Sequence, residues 1–259
     1  MQFFRVTVGE FPAVFRVGAQ EWALACEQVK RTETDLLVLN ELPFGRWLPS
    51  SDTFDQEDFD QSVADHDAAI DALADFGARN VIGSRLMMQD GKRVNAGFVW
   101  REGQGVENFY TKQHVPNSLG YWEQQWYVPG ERKFPVIDVG GVKVGMLICT
   151  DVMFNEHARH YGRNGAQLIV VPRAMPPLMK DFFDTAMRMA SVSSGCYVAS
   201  SNRTGVNDLN EPFEGRGVIY NPACQGMAQT SGLSTVAFSD IDLHAVAFKQ
   251  TFYPCDVPE

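Results

Sequence analysis

The run Asp35-Leu36-Leu37-Val38-Leu39 limits the fold of this chain more than any other stretch. Its apolar residues follow one another without polar alternation, the pattern of a strand covered on both faces. Layers must therefore pack on either side of it, and a chain of 259 residues is long enough to supply them. At that length folding buries roughly three quarters of the extended surface, enough for one large core. Strand patterns at 3–8, 80–84, 96–100, 105–110, 142–148, 167–171 and 196–200 alternate with helical ones at 20–31, 55–76, 155–161 and 178–193. Asp90-Gly91 marks a turn, 115–130 is irregular, and about the last fifty residues read as short strands and turns. With no repeat and no linker-like stretch, residues 1–259 read as a single α/β domain of helices layered on sheets.

Composition removes several function classes. Aromatic residues make up 12% of the chain and no long polar tract interrupts it, which excludes disorder. No apolar run approaches the ~20 residues of a membrane span. The start, Met1-Gln2-Phe3-Phe4-Arg5-Val6, lacks the basic and apolar regions of a secretory signal. A net charge of −10 argues against nucleic acid or an anionic membrane as partner. The five cysteines (Cys26, Cys149, Cys196, Cys224, Cys255) are scattered and odd in number, so neither a disulfide framework nor a zinc site is expected, and the reducing cytoplasm fits. His114 and His157 have no partners at metal-ligand spacing, and no metal is expected.

Three strand ends carry the chemistry. The pattern at 142–148 runs straight into Cys149-Thr150-Asp151, with a helical pattern a few residues later. A cysteine on such a turn can present its sulfur beyond the strand, where backbone amides and the helix dipole favour thiolate. The run 36–39 ends in Asn40-Glu41, a carboxylate that is costly there unless solvated or paired. The pattern at 105–110 ends in Thr111-Lys112. One chain thus places Glu, Lys and Cys each after an apolar strand.

On these pieces the sequence resembles the nitrilase, or carbon–nitrogen hydrolase, superfamily. The matching motifs are Leu37-Val38-Leu39-Asn40-Glu41, Tyr110-Thr111-Lys112-Gln113-His114 and Gly145-Met146-Leu147-Ile148-Cys149-Thr150-Asp151. Supporting matches include Asn95, Pro129-Gly130, Asn202-Arg203-Thr204-Gly205 and Phe213-Glu214-Gly215, in the family's order along the chain. The resemblance implies an αββα four-layer sandwich that dimerises through its outer helices, and a triad of Glu41, Lys112 and Cys149. It also implies a second glutamate, Glu123, and an oxyanion contact from the Thr150 backbone N–H. The implied reaction is hydrolysis of a small amide, ureide or nitrile through a Cys149 thioester, with no cofactor, by a homodimer or larger even assembly.

The chain departs from the family pattern in places. Thr150 stands where an aromatic residue is usual, while Asp151 favours amidases and carbamoylases over nitrilases. Met153 and Phe154 occupy the positions of the carbamoylase carboxylate clamp, so that clamp is absent. Arg173 stands where the family has a small residue bordering the pocket. It is either a scaffold cation, paired with a carboxylate such as Glu156, or a pocket cation that selects acidic substrates. Phe44, Tyr121 and Trp122 are candidate substrate contacts. The competing functions are a nitrilase and a catalytically silent binding protein. The silent form is disfavoured because it has no physical need for paired charges at 41, 112 and 123.

Overall fold

The computed structural model describes residues 3–258, so the first two residues of the N-terminal reading lie outside the described residues. In chain order the elements begin β1 (Phe4–Pro12), α1 (Gln20–Lys30), β2 (Leu36–Val38), α2 (Gln56–Asp71), β3 (Asn80–Gln89), β4 (Lys92–Arg101) and β5 (Gly105–Thr111). They continue with α3 (Glu123–Trp126), β6 (Ile137–Val139), β7 (Val142–Met146), α4 (Asn155–Arg163), β8 (Leu168–Val170) and α5 (Lys180–Ser194). The last are β9 (Tyr197–Ser200), β10 (Asn202–Val206), β11 (Pro212–Glu214), β12 (Val218–Tyr220), β13 (Gly226–Gln229), β14 (Val236–Ile241) and α6 (Leu243–Lys249). One sheet runs β11-β10-β1-β2-β3-β4-β5 with β14 paired to β1, and the other runs β13-β12-β9-β8-β7-β6.

Alternation along β2 shows why its apolar run has to be continuous. Leu36 and Val38 join Val6, Val8, Val144 and Met146 in a core shared by the two sheets. Leu37 and Leu39 point the other way, into a cluster with Trp22, Cys26 and Val29 of α1 and Ile70 of α2. The sheets approach closely at Gly97, where a Cβ would come within 2.2 Å of the Met146 sulfur. Outside the second sheet, the Tyr161 ring of α4 covers Gly145, and Phe183, Met187 and Ala190 of α5 are buried. Helix, sheet, sheet and helix form the expected αββα sandwich.

The structure revises several local expectations. The helical pattern at 55–76 is not one helix. Asp55 caps α2 by accepting the Asp58 N–H at 2.9 Å, and the helix ends at Asp71. A tight 3₁₀ turn, Leu73–Phe76, then tucks the Phe76 ring against Phe11, Phe15 and Trp22. The irregular stretch at 115–130 contains the short α3, and the C-terminal part adds α6 to its strands. Phe44, a candidate substrate contact, lies instead in the core, tilted against Trp22 and stacked on Phe15.

Beside Phe44 lies His66, fully buried on α2. Its Nδ1–H donates to the Ser62 carbonyl at 2.7 Å, and Nε2 has no partner among the described residues. Burial lowers its pKa to about 3, against the pull of the Ser62 carbonyl. The unfolded chain therefore takes up a proton below about pH 6.5 that the folded chain refuses until about pH 3. Stability should fall as pH drops through that window, and His66→Gln should flatten part of that fall. Thermal melts of both proteins from pH 7 to 4 check this, and identical slopes would refute it.

Candidate active site

Glu41, Lys112 and Cys149 each stand just past a strand, β2, β5 and β7 in turn, and the sandwich brings those ends together. Lys112 is wholly buried and lies between two carboxylates. Its Nζ donates to Glu41 Oε1 at 2.7 Å and to Glu123 Oε2 at 2.5 Å. Asn95 on β4 donates Nδ2–H to the same Glu41 Oε1 at 2.9 Å and lies 3.5 Å from the Tyr127 hydroxyl. Tyr127 in turn donates a short hydrogen bond to Glu123. Lys112, Glu41, Asn95, Tyr127 and Glu123 thus form a closed ring of polar groups. Glu41 Oε2 stays outside it, with no hydrogen-bond partner among the described residues.

The charges in this ring follow from burial. Desolvation works against the Lys112 ammonium, but Glu123 and Glu41 more than offset it, and its pKa is raised. Burial pushes Glu123 up to about 7; Lys112 opposes this and Glu41 reinforces it. One cation serving two buried carboxylates leaves an excess negative charge, and Glu123 is the group that relieves it by holding a proton more readily.

Cys149 opens a 3₁₀ turn, Cys149–Met153, with φ +48°, a left-handed conformation that costs a non-glycine residue about 1–2 kcal/mol. The turn is held on both sides. The Cys149 N–H donates to the Pro172 carbonyl at 2.9 Å, and the Glu41 N–H donates to the Arg173 carbonyl at 3.1 Å. A single loop after β8 therefore ties the nucleophile candidate in one sheet to the carboxylate in the other. Asp151 adds a second tie. Its carboxylate accepts Ile148 N–H at 3.2 Å, His114 N–H at 2.7 Å and the Tyr110 hydroxyl at 2.7 Å, clamping the flanks of Cys149 and Lys112.

The thiol does not rest as the thiolate expected from its turn. Only 4% of Cys149 is exposed, and that burial pushes its pKa well up. Glu41 pushes it further, whereas Lys112 and the Ala174 backbone N–H pull it down without prevailing. Thr150 follows in the first turn, half-buried. Tyr121 lies close enough to Cys149, Glu211 and Glu41 for their charges to raise its hydroxyl pKa beyond the rise from burial. Trp122 is half-buried, its N–H bonded to the Pro49 carbonyl at 2.8 Å.

Asn95, Tyr127 and Arg203 were not singled out as site residues from the sequence. Tyr127 stands one helical turn after Glu123, a spacing that brings side chains together. Asn95 interrupts the apolar sequence of β4 between Val94 and Ala96. Arg203 is buried and donates to the Glu41 carbonyl at 3.2 Å and, more closely, to the Leu42 and Ala13 carbonyls, fixing the turn that carries Glu41.

The sandwich thus gathers a buried cysteine and lysine past two strand ends with two glutamates, one after β2 and one on α3. Residues 12–249 match the Carbon-nitrogen hydrolase family model, and the chain belongs to that family, within the nitrilase superfamily. It is 34% identical over 182 residues to the "Hydrolase in pqqF 5'region" of Pseudomonas protegens, covering 68% of this chain and 61% of the relative. It is 26% identical over 172 residues to the 2-oxoglutaramate amidase of Bacillus subtilis, covering 66% and 64%. Across such curated relatives the chain spans between about half and three fifths of their length. The crystal structure of a carbon–nitrogen hydrolase from Helicobacter pylori superposes with a TM-score of 0.85 at 21% identity, covering 98% of this chain and 94% of that one.

Arg173 is fully buried beside this site, and Glu156 is not its partner. Its Nε donates to Ser200 Oγ at 2.6 Å, and one terminal nitrogen donates to the Arg216 carbonyl at 2.7 Å. The other terminal nitrogen lies 3.2 Å from Met175 Sδ and 3.9 Å from Glu214, the carboxylate that opposes its charge. With each nitrogen already engaged, the guanidinium is part of the scaffold. Arg173→Ala should lower stability by about 1–3 kcal/mol, because it leaves the Ser200 hydroxyl and the Arg216 carbonyl without their buried donor, while Arg216 still faces Glu214 at 3.9 Å. It should change KM for acidic and neutral amides alike. A selective rise in KM for acidic amides, with an unchanged melting curve, would overturn the scaffold role.

Proposed function

We propose that this protein hydrolyses the carbon–nitrogen bond of a small amide or N-carbamoyl compound through a thioester on Cys149. The observation that carries the reading is the buried Lys112 ammonium held between Glu41 and Glu123, with one Glu41 oxygen left free. Since the resting thiol is protonated, the reaction needs a base, and Glu41 Oε2 is the unoccupied acceptor.

In the first half-reaction Glu41 takes the proton of Cys149 as Sγ attacks the substrate carbonyl carbon. The carbonyl oxygen becomes an oxyanion, held by the Lys112 ammonium and the Thr150 backbone N–H. Glu41 then passes its proton to the departing nitrogen, the carbon–nitrogen bond breaks, and ammonia or amine leaves a thioester. Water enters, Glu41 takes one of its protons, and the resulting hydroxide attacks the thioester carbon. Collapse releases the acid, and the proton on Glu41 returns to the thiol. Glu123 holds Lys112 in place and faces the leaving nitrogen. Tyr121 and Trp122 contact the rest of the substrate. The near-complete burial of Cys149, Glu41 and Lys112 favours small substrates. Asp151 after Thr150, the context that the family resemblance links to amidases and carbamoylases, supports amides over nitriles. Two copies pairing through α5, where Leu178, Phe182 and Met189 are exposed around its outer side, would cover that apolar surface.

Ammonia release across a panel of amides, ureides and nitriles tests the reading. Amides or ureides should react and nitriles should not. Cys149→Ala should abolish turnover, and Lys112→Ala should lower kcat by about 10²–10³ or more. Undiminished turnover by Cys149→Ala would end the proposal. Sedimentation at micromolar concentration should find a dimer or larger even assembly; a species of 28.9 kDa would refute the pairing.

A further inference from the structure

Asn95 bonds both halves of the charged pair. Its side-chain Nδ2–H donates to Glu41 Oε1 at 2.9 Å, and its backbone carbonyl accepts the Lys112 N–H at 2.9 Å. The residue is fully buried on β4, and its Oδ1 has no partner among the described residues. The amide cannot be turned the other way without setting Oδ1 against a carboxylate. Lys112 alone would leave the Glu41 carboxylate free to rotate about its last torsion while keeping one ion-pair contact. A second donor to the same oxygen, arriving from another strand, fixes the plane of the carboxylate and hence the direction of Oε2. It also leaves Oε2 as the oxygen free to take a proton.

We propose that Asn95 is a positioning residue that sets the orientation of the Glu41 carboxylate toward Cys149. The proposal rests on the base role given to Glu41 above. The groups that bear on Glu41 are Lys112 after β5, Tyr121 before α3, Glu123 and Tyr127 on and just after α3, Cys149 after β7 and Arg203 on β10. Among these, Lys112 alone donates to its carboxylate, so removing Asn95 leaves one donor where there were two. A carboxylate that has lost a charge-assisted hydrogen bond is poorer at holding its geometry.

The test is a double-mutant cycle read by the rate at which iodoacetamide alkylates Cys149 between pH 5 and 9, with the labelled peptide identified by mass spectrometry. Asn95→Leu should label about tenfold more slowly than wild type at pH 7, because the acceptor oxygen is no longer held toward the sulfur. In a Glu41→Gln background, Asn95→Leu should change the rate less than twofold, since the group it acts through is gone. A purely structural role would slow labelling equally in both backgrounds, and that result, or labelling at the wild-type rate, would overturn the proposal. Should Asn95→Leu fail to give a cooperative melt, Asn95→Ser enters the same cycle and is judged by the same outcomes. Labelling needs no substrate. A wild type that releases no ammonia from any compound would therefore sink the proposed hydrolysis while leaving this cycle readable.

Discussion

The Lys112 ammonium has been taken wholly out of water, and much of the architecture serves to compensate it. Such a group is costly to bury unless its charge and its protons are met. Glu41 and Glu123 meet them from opposite sides, one from the turn after β2 and the other from α3. Because a cation between two anions is one charge short of neutral, the excess is spread by hydrogen bonds from Asn95 and Tyr127. The ring is satisfied at most positions; among the described residues Glu41 Oε2 and Asn95 Oδ1 stay without partners, and Glu41 Oε2 is the one that belongs to a carboxylate. An opening of that kind in a buried network is destabilising by itself, which is why it marks a place where a proton is to be received.

Holding that ring against Cys149 is a problem of joining two sheets. Glu41 and Lys112 belong to the first sheet and Cys149 to the second, so side-chain contacts alone would let them drift apart as the sheets slide. The loop after β8 prevents this through main-chain bonds, Pro172 to Cys149 and Arg173 to Glu41. Arg173 is anchored in its turn by Ser200 and the Arg216 carbonyl, so the stitching loop is itself fixed from behind. The left-handed backbone of Cys149 is tolerated because its neighbours leave it no alternative. Ile148 is held by Asp151 on one side of it, and Cys149 itself by Pro172 on the other.

Much of this arrangement was legible in the sequence, and the reasons for the gaps are physical. The continuous run at 36–39 implied layers on both sides of a strand, and Leu36 and Leu37 do face different cores. Glu41, Lys112 and Cys149 could be picked out because each ends an apolar strand, where a polar residue is conspicuous. Asn95 stood out only as a match to the family pattern and its role did not, because a single amide within a strand has the same appearance whether it faces water, a neighbour or a carboxylate. Phe44 was misplaced because an aromatic residue near a motif looks alike in a pocket and in a core; only the packing against Phe15 and Trp22 separates the two. The Arg173 partner lay beyond reach for a similar reason. Glu156 is nearer in sequence, but Glu214 is brought alongside by β11, a short edge strand that periodicity does not reveal.

The protonated state of the thiol changes what the cysteine context means. A nucleophile held as thiolate by a helix dipole would react with any electrophile able to reach it. Here burial and the Glu41 charge keep Cys149 as a thiol, while Lys112 is already in place to stabilise negative charge. In the proposed reaction, turnover then depends on Glu41 receiving the proton at the moment a carbonyl stands beside the sulfur. Burial also raises the pKa of Cys26 to about 11 and of Cys196 to about 12; Asp75 and Lys30 bear on Cys26, but both are exposed rather than locked in a buried network. What sets Cys149 apart from those buried thiols is therefore not a greater acidity but a neighbouring buried acceptor with a vacant oxygen. The same feature suits hydrolysis in both directions of proton flow. A base fixed by two donors on one oxygen can surrender its proton to a leaving nitrogen and accept the next from water without changing its position.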